Sequence, residues 1–112
     1  MQKINYDKLK FVKLNNVSRE TLILFESYEN FLLKQNKHFN LVGSSTIQSV
    51  WTRHFADSAK LFSFIHSRAK GTKKTIEVCD VGSGAGFPGI VLSILSLQSK
   101  LNISITLFES NK

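Results

Sequence analysis

The chain has 112 residues, room for a single domain, and an apolar and charged content ordinary for a folded protein. No apolar run approaches the ~20 residues of a bilayer span, and the opening "MQKINYDKLKFVK" lacks the apolar core of a secretion signal. The net charge of +7 is unevenly held: residues 1–74 carry 13 Lys and Arg against 5 Asp and Glu, and residues 75–112 carry 2 against 3. A basic front part fits a polyanion partner, and it equally fits a Lys- and Asn-rich composition with no target.

Residues 1–16 are lysine-rich and weakly periodic, which predicts a helical or frayed lead-in. A helix is predicted to start at Ser18, a good N-cap, with Val17 and Leu22 spaced as a hydrophobic staple. Phe25, Tyr28 and Leu32 come next at helical spacing and read as a core stripe. The segment "HFNLVGSS" then breaks the pattern. "SSTIQSVWTRHFADSAKLFSFIHS" reads as one or two further helices, with Ser45 and Gln48 at capping-box spacing. Trp51, Phe55, Phe62 and Ile65 share one face of this segment. On the other side Arg53 and Asp57 are four residues apart and able to pair, as are His54 and Ser58.

The basic "RAKGTKK" at 68–74 is the predicted boundary between a helical part, residues 1–74, and a strand-bearing part, residues 75–112. "TIEVCDV" reads as a strand suited to the centre of a parallel sheet. Its Cys79, the single cysteine, is expected to be a buried, inert thiol, which with the missing secretion signal fits a cytoplasmic setting. "GIVLSILSLQS" reads as a covering helix, with Pro88 well placed at its start. "NISITLFE" reads as a second strand, completing a βαβ unit. His38, His54 and His66 are scattered, and nothing resembles a metal cluster.

Between the first strand and the covering helix runs "DVGSGAGFPG", residues 80–89, with 4 glycines in ten positions. A P-loop needs a lysine after the glycines, and there is none. Gly84, Gly86 and Gly89 match the spacing of a dinucleotide turn, with Glu109 where a ribose-binding acid belongs. Asp80, Gly82, Gly84 and Gly86 match the acid-x-Gly-x-Gly-x-Gly pattern of an S-adenosylmethionine (SAM) turn. Electrostatics favours SAM: a carboxylate at the strand tip repels a pyrophosphate and attracts an ammonium or sulfonium. The late start of the first strand, at Thr75, points the same way, and a glycine turn with no ligand stays as the bland alternative.

With these residues in view, the sequence resembles the bacterial small-subunit (16S) rRNA guanine-N(7)-methyltransferases, the glucose-inhibited division protein B family. The likeness runs from about residue 20 to the end, through "FNLVGSSTIQSVWTRHFADSAKLF", "DVGSGAGFPGI" and "LFESNK". It implies an α/β fold: an N-terminal helical extension, then the first βαβ unit of a Rossmann-like SAM-dependent methyltransferase sheet. It implies SAM binding by Gly82, Phe87, Gly84, Gly86, Asp80 and Glu109. Arg53, His54, Asp57 and Ser58 match a polar set near the site mouth, with Arg53 and His54 assigned to RNA. Val91 stands where a proline is frequent in the family, a change that a helix tolerates. The implied reaction is methyl transfer to N7 of a guanine, which needs no general base, so no catalytic residue is named and His54 is not read as one. The implied partner is 16S rRNA or the small ribosomal subunit, for a cytoplasmic protein with no membrane contact and no metal, monomeric at full length.

The family's chains are longer, so this one looks truncated: the rest of the sheet, the adenine-binding segment and a later arginine are missing from it. A two-stranded sheet with an uncovered edge predicts marginal stability and weak SAM affinity. Two other readings remain, a dinucleotide-binding oxidoreductase domain and a non-catalytic remnant.

Overall fold

The computed structural model describes residues 5–39, 50–81 and 88–108, with the backbone alone for 36–39. Helix α1 spans Tyr6–Leu14, and its N-cap Asn5 accepts the Lys8 N–H through Oδ1 at 3.0 Å. The chain turns at Asn16, whose φ of 47° lies in the left-handed region that asparagine tolerates better than most residues. Helix α2 runs Arg19–Phe39. Ser18 caps it as expected, Oγ accepting the Thr21 N–H at 3.2 Å. Val17 and Leu22, the predicted staple, both pack against the core.

The segment Trp51–Phe55 is a π-helical turn, in which the Phe55 N–H donates to the Val50 carbonyl, five residues back, at 2.8 Å. It leads directly into α3, Ala56–Lys70, which stops at Gly71. Strand β1 is Ile76–Val81, helix α4 is Gly89–Ser99 and strand β2 is Ile103–Phe108. β1 and β2 pair in parallel, with Ile76 opposite Ile103, Val78 opposite Ile105 and Asp80 opposite Leu107. The fold is therefore mixed α/β: helices, then a parallel strand–helix–strand unit.

One apolar cluster joins the two ends of the chain. Phe11, Phe25, Tyr28, Leu32, Trp51 and Phe55 from the helical part meet Val91, Ile94 and Leu95 of α4. Phe11 packs edge-on against Phe25, with ring centroids 5.1 Å apart, and against Trp51 at 5.4 Å. Trp51 meets Phe55 edge-on at 4.7 Å, and Tyr28 stacks on Phe55 at 5.6 Å. Edge-on pairs of this kind contribute about 1 kcal/mol each beyond the area they bury. The lead-in is thus helical over Tyr6–Leu14 and part of the core: α1 supplies Phe11, which is 3% exposed. An ion pair between Lys8 and Glu26 ties α1 to α2. At the other end the Ser18 N–H donates to Gln98 Oε1 at 2.8 Å, tying the start of α2 to α4.

Among the described residues β1 pairs with β2 alone. One expectation about β1 is corrected. Cys79 is exposed rather than buried. The reason is one-sided cover. Ile76, Val78, Ile103 and Ile105 are half-buried, whereas their neighbours Glu77, Cys79, Val81, Ser104, Thr106 and Phe108 are exposed. Alternation along a strand sends neighbouring side chains to opposite faces, so the cysteine falls on the open side.

Candidate functional site

The site is organised around the start of α4. Pro88 is its N-cap and carries no N–H, so the first backbone donor of the helix is that of Gly89. That N–H donates to Asp80 Oδ2 at 2.9 Å, joining the start of α4 to the end of β1. The carboxylate thus sits at the positive end of the α4 dipole, a favourable place for a negative charge. Gly89 is fixed by space rather than by backbone conformation. A Cβ there would lie 2.7 Å from Asp80 Oδ2 and 2.7 Å from Leu107 Cδ2, closer than atoms can approach. The third glycine of the G-x-G-x-x-G spacing therefore lets helix, strand tip and neighbouring strand close together.

Arg53, His54, Asp57 and Ser58 are brought together with Leu61 and Pro88 around a cleft of about 300 Å³. The π-helical turn contributes Arg53 and His54, and the first turns of α3 contribute the others. Ser58 is buried, 5% exposed, and His54 is half-buried, whereas Arg53 and Asp57 are exposed. The expected Arg53–Asp57 ion pair does not form; among the described residues the ion pair is Lys8 with Glu26. Pro88 is the junction of the arrangement, since it lines this cleft while the next residue is held by Asp80.

Tyr28 is a neighbour of Asp80 that the sequence pattern does not reveal. Burial, and secondly the Asp80 carboxylate, push its phenol well above the usual tyrosine range. Its spacing with Phe25 and Leu32 signals core, and nothing in the local sequence signals the carboxylate. Pro88 and Leu61 also line the site without any local signal that they would. Gly82, Gly84, Gly86, Phe87 and Glu109, expected around a cofactor, lie outside the described residues, as do Ser45 and Gln48. Among the described residues no helix is long and apolar enough to cross a membrane.

A parallel strand–helix–strand unit with an acid at the first strand tip, preceded by a basic helical segment, is the architecture the sequence likeness implied. The family model that matches is GidB, rRNA small subunit methyltransferase G, over residues 21–112. The chain belongs to this methyltransferase family. Curated relatives carry the matching name "Ribosomal RNA small subunit methyltransferase G". That of Orientia tsutsugamushi (strain Boryong) is 46% identical over 94 residues, covering 83% of this chain and 44% of that protein. That of Rhodospirillum centenum is 52% identical over 81 residues, covering 72% of this chain and 35% of that protein. That of Parvibaculum lavamentivorans is 40% identical over 106 residues, covering 95% of this chain and 44% of that protein. The chain therefore spans less than half the length of these relatives. No solved structure matches it.

Proposed function

We propose that the chain is the SAM-facing front of an rRNA methyltransferase that modifies N7 of a guanine in 16S rRNA, in the cytoplasm. The observation that carries this reading is the Asp80–Gly89 hydrogen bond. A dinucleotide would bring its pyrophosphate to the N-terminus of α4. There the first N–H is already taken by a carboxylate, which also repels phosphate. A cofactor with an ammonium and a sulfonium meets attraction at the same place.

SAM, when bound, supplies an electrophilic methyl group. Guanine N7 offers a lone pair and has no proton to lose, so this chain's residues need only bind and orient. Asp80 gives one oxygen to α4, and we assign its carboxylate charge to the cofactor side of the turn, with Gly82, Gly84, Gly86, Phe87 and Glu109. Arg53 and His54 are assigned to RNA at the adjoining cleft. Arg53 would contact phosphate, and its contribution would be screened by salt.

Saturation-transfer NMR with SAM and NAD in turn tests the cofactor, since it detects weak binding. Transfer to SAM and none to NAD supports the reading; the reverse overturns it. Incorporation of labelled methyl from SAM into 16S rRNA, with aniline cleavage at N7-methylguanine, tests the reaction. Label appearing at another position would refute the assignment to N7.

A further inference from the structure

The outer face of α3 carries side chains that neither the core nor the cleft uses. Phe64 is 73% exposed. Lys60, four residues before it, and Arg68, four residues after it, are exposed as well. That spacing sets the three in one row along the helix. Ser63 and Ser67, exposed beside the ring, are too small to cover it. Among the described residues no acid is paired with Lys60 or Arg68. Leu61, 44% exposed, and Arg53 continue the row towards the cleft that Pro88 lines. Asp57 is the acid on the row itself, and on the α1 side Asp7 and Lys10 line a neighbouring cleft with Lys60, so cations remain in excess.

The surroundings of the ring choose its ligand. An apolar protein surface laid on Phe64 would strip water from Lys60 and Arg68 without pairing them, which is costly. A nucleic acid strand answers both needs, since each nucleotide offers a flat base and an anionic phosphate. A duplex hides its base faces, so the strand must be unpaired. Lys60 and Arg68 lie about 12 Å apart along the helix axis, room for one stacked base with a phosphate on either side.

We propose that this face of α3 holds an unpaired stretch of the RNA substrate, one base stacking on Phe64 while Lys60 and Arg68 meet the flanking phosphates. The proposal rests on rRNA being the substrate, and it places the strand on a path that ends at the Arg53 cleft.

The test is fluorescence anisotropy of labelled oligo(U), alone and annealed to oligo(A), titrated with the chain and its variants over a range of salt. Phe64→Ala should weaken oligo(U) binding about tenfold and leave duplex binding unchanged. Lys60→Ala and Arg68→Ala should each lower the salt slope by about one. Phe64→Trp should keep the affinity and show indole quenching by oligo(U), readable because Trp51 is 2% exposed. Circular dichroism checks that the variants, all at exposed positions, keep the fold. Salt-sensitive RNA binding that Phe64→Ala does not change overturns the role of this face and leaves the RNA reading standing. Failure of the unaltered chain to bind RNA overturns both. If Phe64→Ala impairs binding to assembled small subunits but not to naked RNA, the face meets a protein and the proposal falls.

Discussion

The N–H of Gly89 donates to Asp80 Oδ2 at 2.9 Å, and the same oxygen would lie 2.7 Å from a methyl group placed on Gly89. The hydrogen bond and the absence of a side chain are one device: the carboxylate can cap α4 only because nothing projects between them. Gly89→Ala should therefore destabilise the chain by about 1–3 kcal/mol, the usual result of forcing an extra carbon into packed space. Urea denaturation measures it. A midpoint equal to that of the unaltered chain would show that the Asp80 and Leu107 side chains can move aside at no cost.

Asp80 can be separated into its neutral and charged parts. Asp80→Asn keeps an acceptor for the Gly89 N–H and loses the charge at the helix end, which should cost about 0.5–1 kcal/mol. Asp80→Ala removes the cap as well and should cost about 1–2 kcal/mol. SAM binding should fall in both variants, if the charge serves the cofactor as proposed. SAM binding retained in Asp80→Asn would reduce the residue to a helix cap.

Tyr28 gives a signature at high pH. Its folded-state pKa is raised from an ordinary 10.0 by burial first and by Asp80 second. Above pH 10 the unfolded phenol loses its proton while the folded one keeps it. The unfolded state then binds fewer protons, and stability falls as pH rises. The stability difference between the chain and Tyr28→Phe should be constant below about pH 9 and shift in favour of the variant by up to about 1.4 kcal/mol per unit above pH 10. Parallel curves throughout would show that Tyr28 ionises freely.

Cys79 should react in the native chain. Exposed on the open face of β1, it should be modified by Ellman's reagent without denaturant, one thiol per chain. Reaction only after addition of urea would mean that the open face is covered in solution.

The first helix can be tested through Phe11. Truncating a buried aromatic that touches Phe25, Trp51 and Phe55 should cost about 3–5 kcal/mol. Leu14→Ala, at a position 71% exposed, should cost little. Thermal melts of the two variants should differ by many degrees, and similar melts would return α1 to the status of a loose lead-in.

The parts of the fold that local pattern controls are legible in the sequence. "GIVLSILSLQS" is α4 from end to end, and Ser18 caps α2 because a hydroxyl before a helix has one obvious donor to satisfy. The rest depends on contacts between distant segments. Helix α1 buries Phe11 while Tyr6, Leu9 and Leu14 face water, so its apolar residues fall on no single stripe. The π-helical turn is no more visible, because its extra width accompanies the burial of both Trp51 and Phe55 rather than any local signal. The exposure of Cys79 is hidden because "TIEVCDV" looks alike whether one face of a sheet is covered or two. At the site, the polar set around Arg53 is visible as spacing, but its junction with Pro88 is a product of packing.

The shared cluster has a consequence for how the chain is made. Phe11 and Phe25 leave the ribosome long before Val91, Ile94 and Leu95, with which they share a core, have been translated. Ser18 waits 80 residues for Gln98. Vectorial synthesis thus exposes an aromatic surface early and closes it late. Conditions that slow elongation past residue 74 should raise the nascent chain's dependence on chaperones, since transiently exposed apolar surface is what such factors bind.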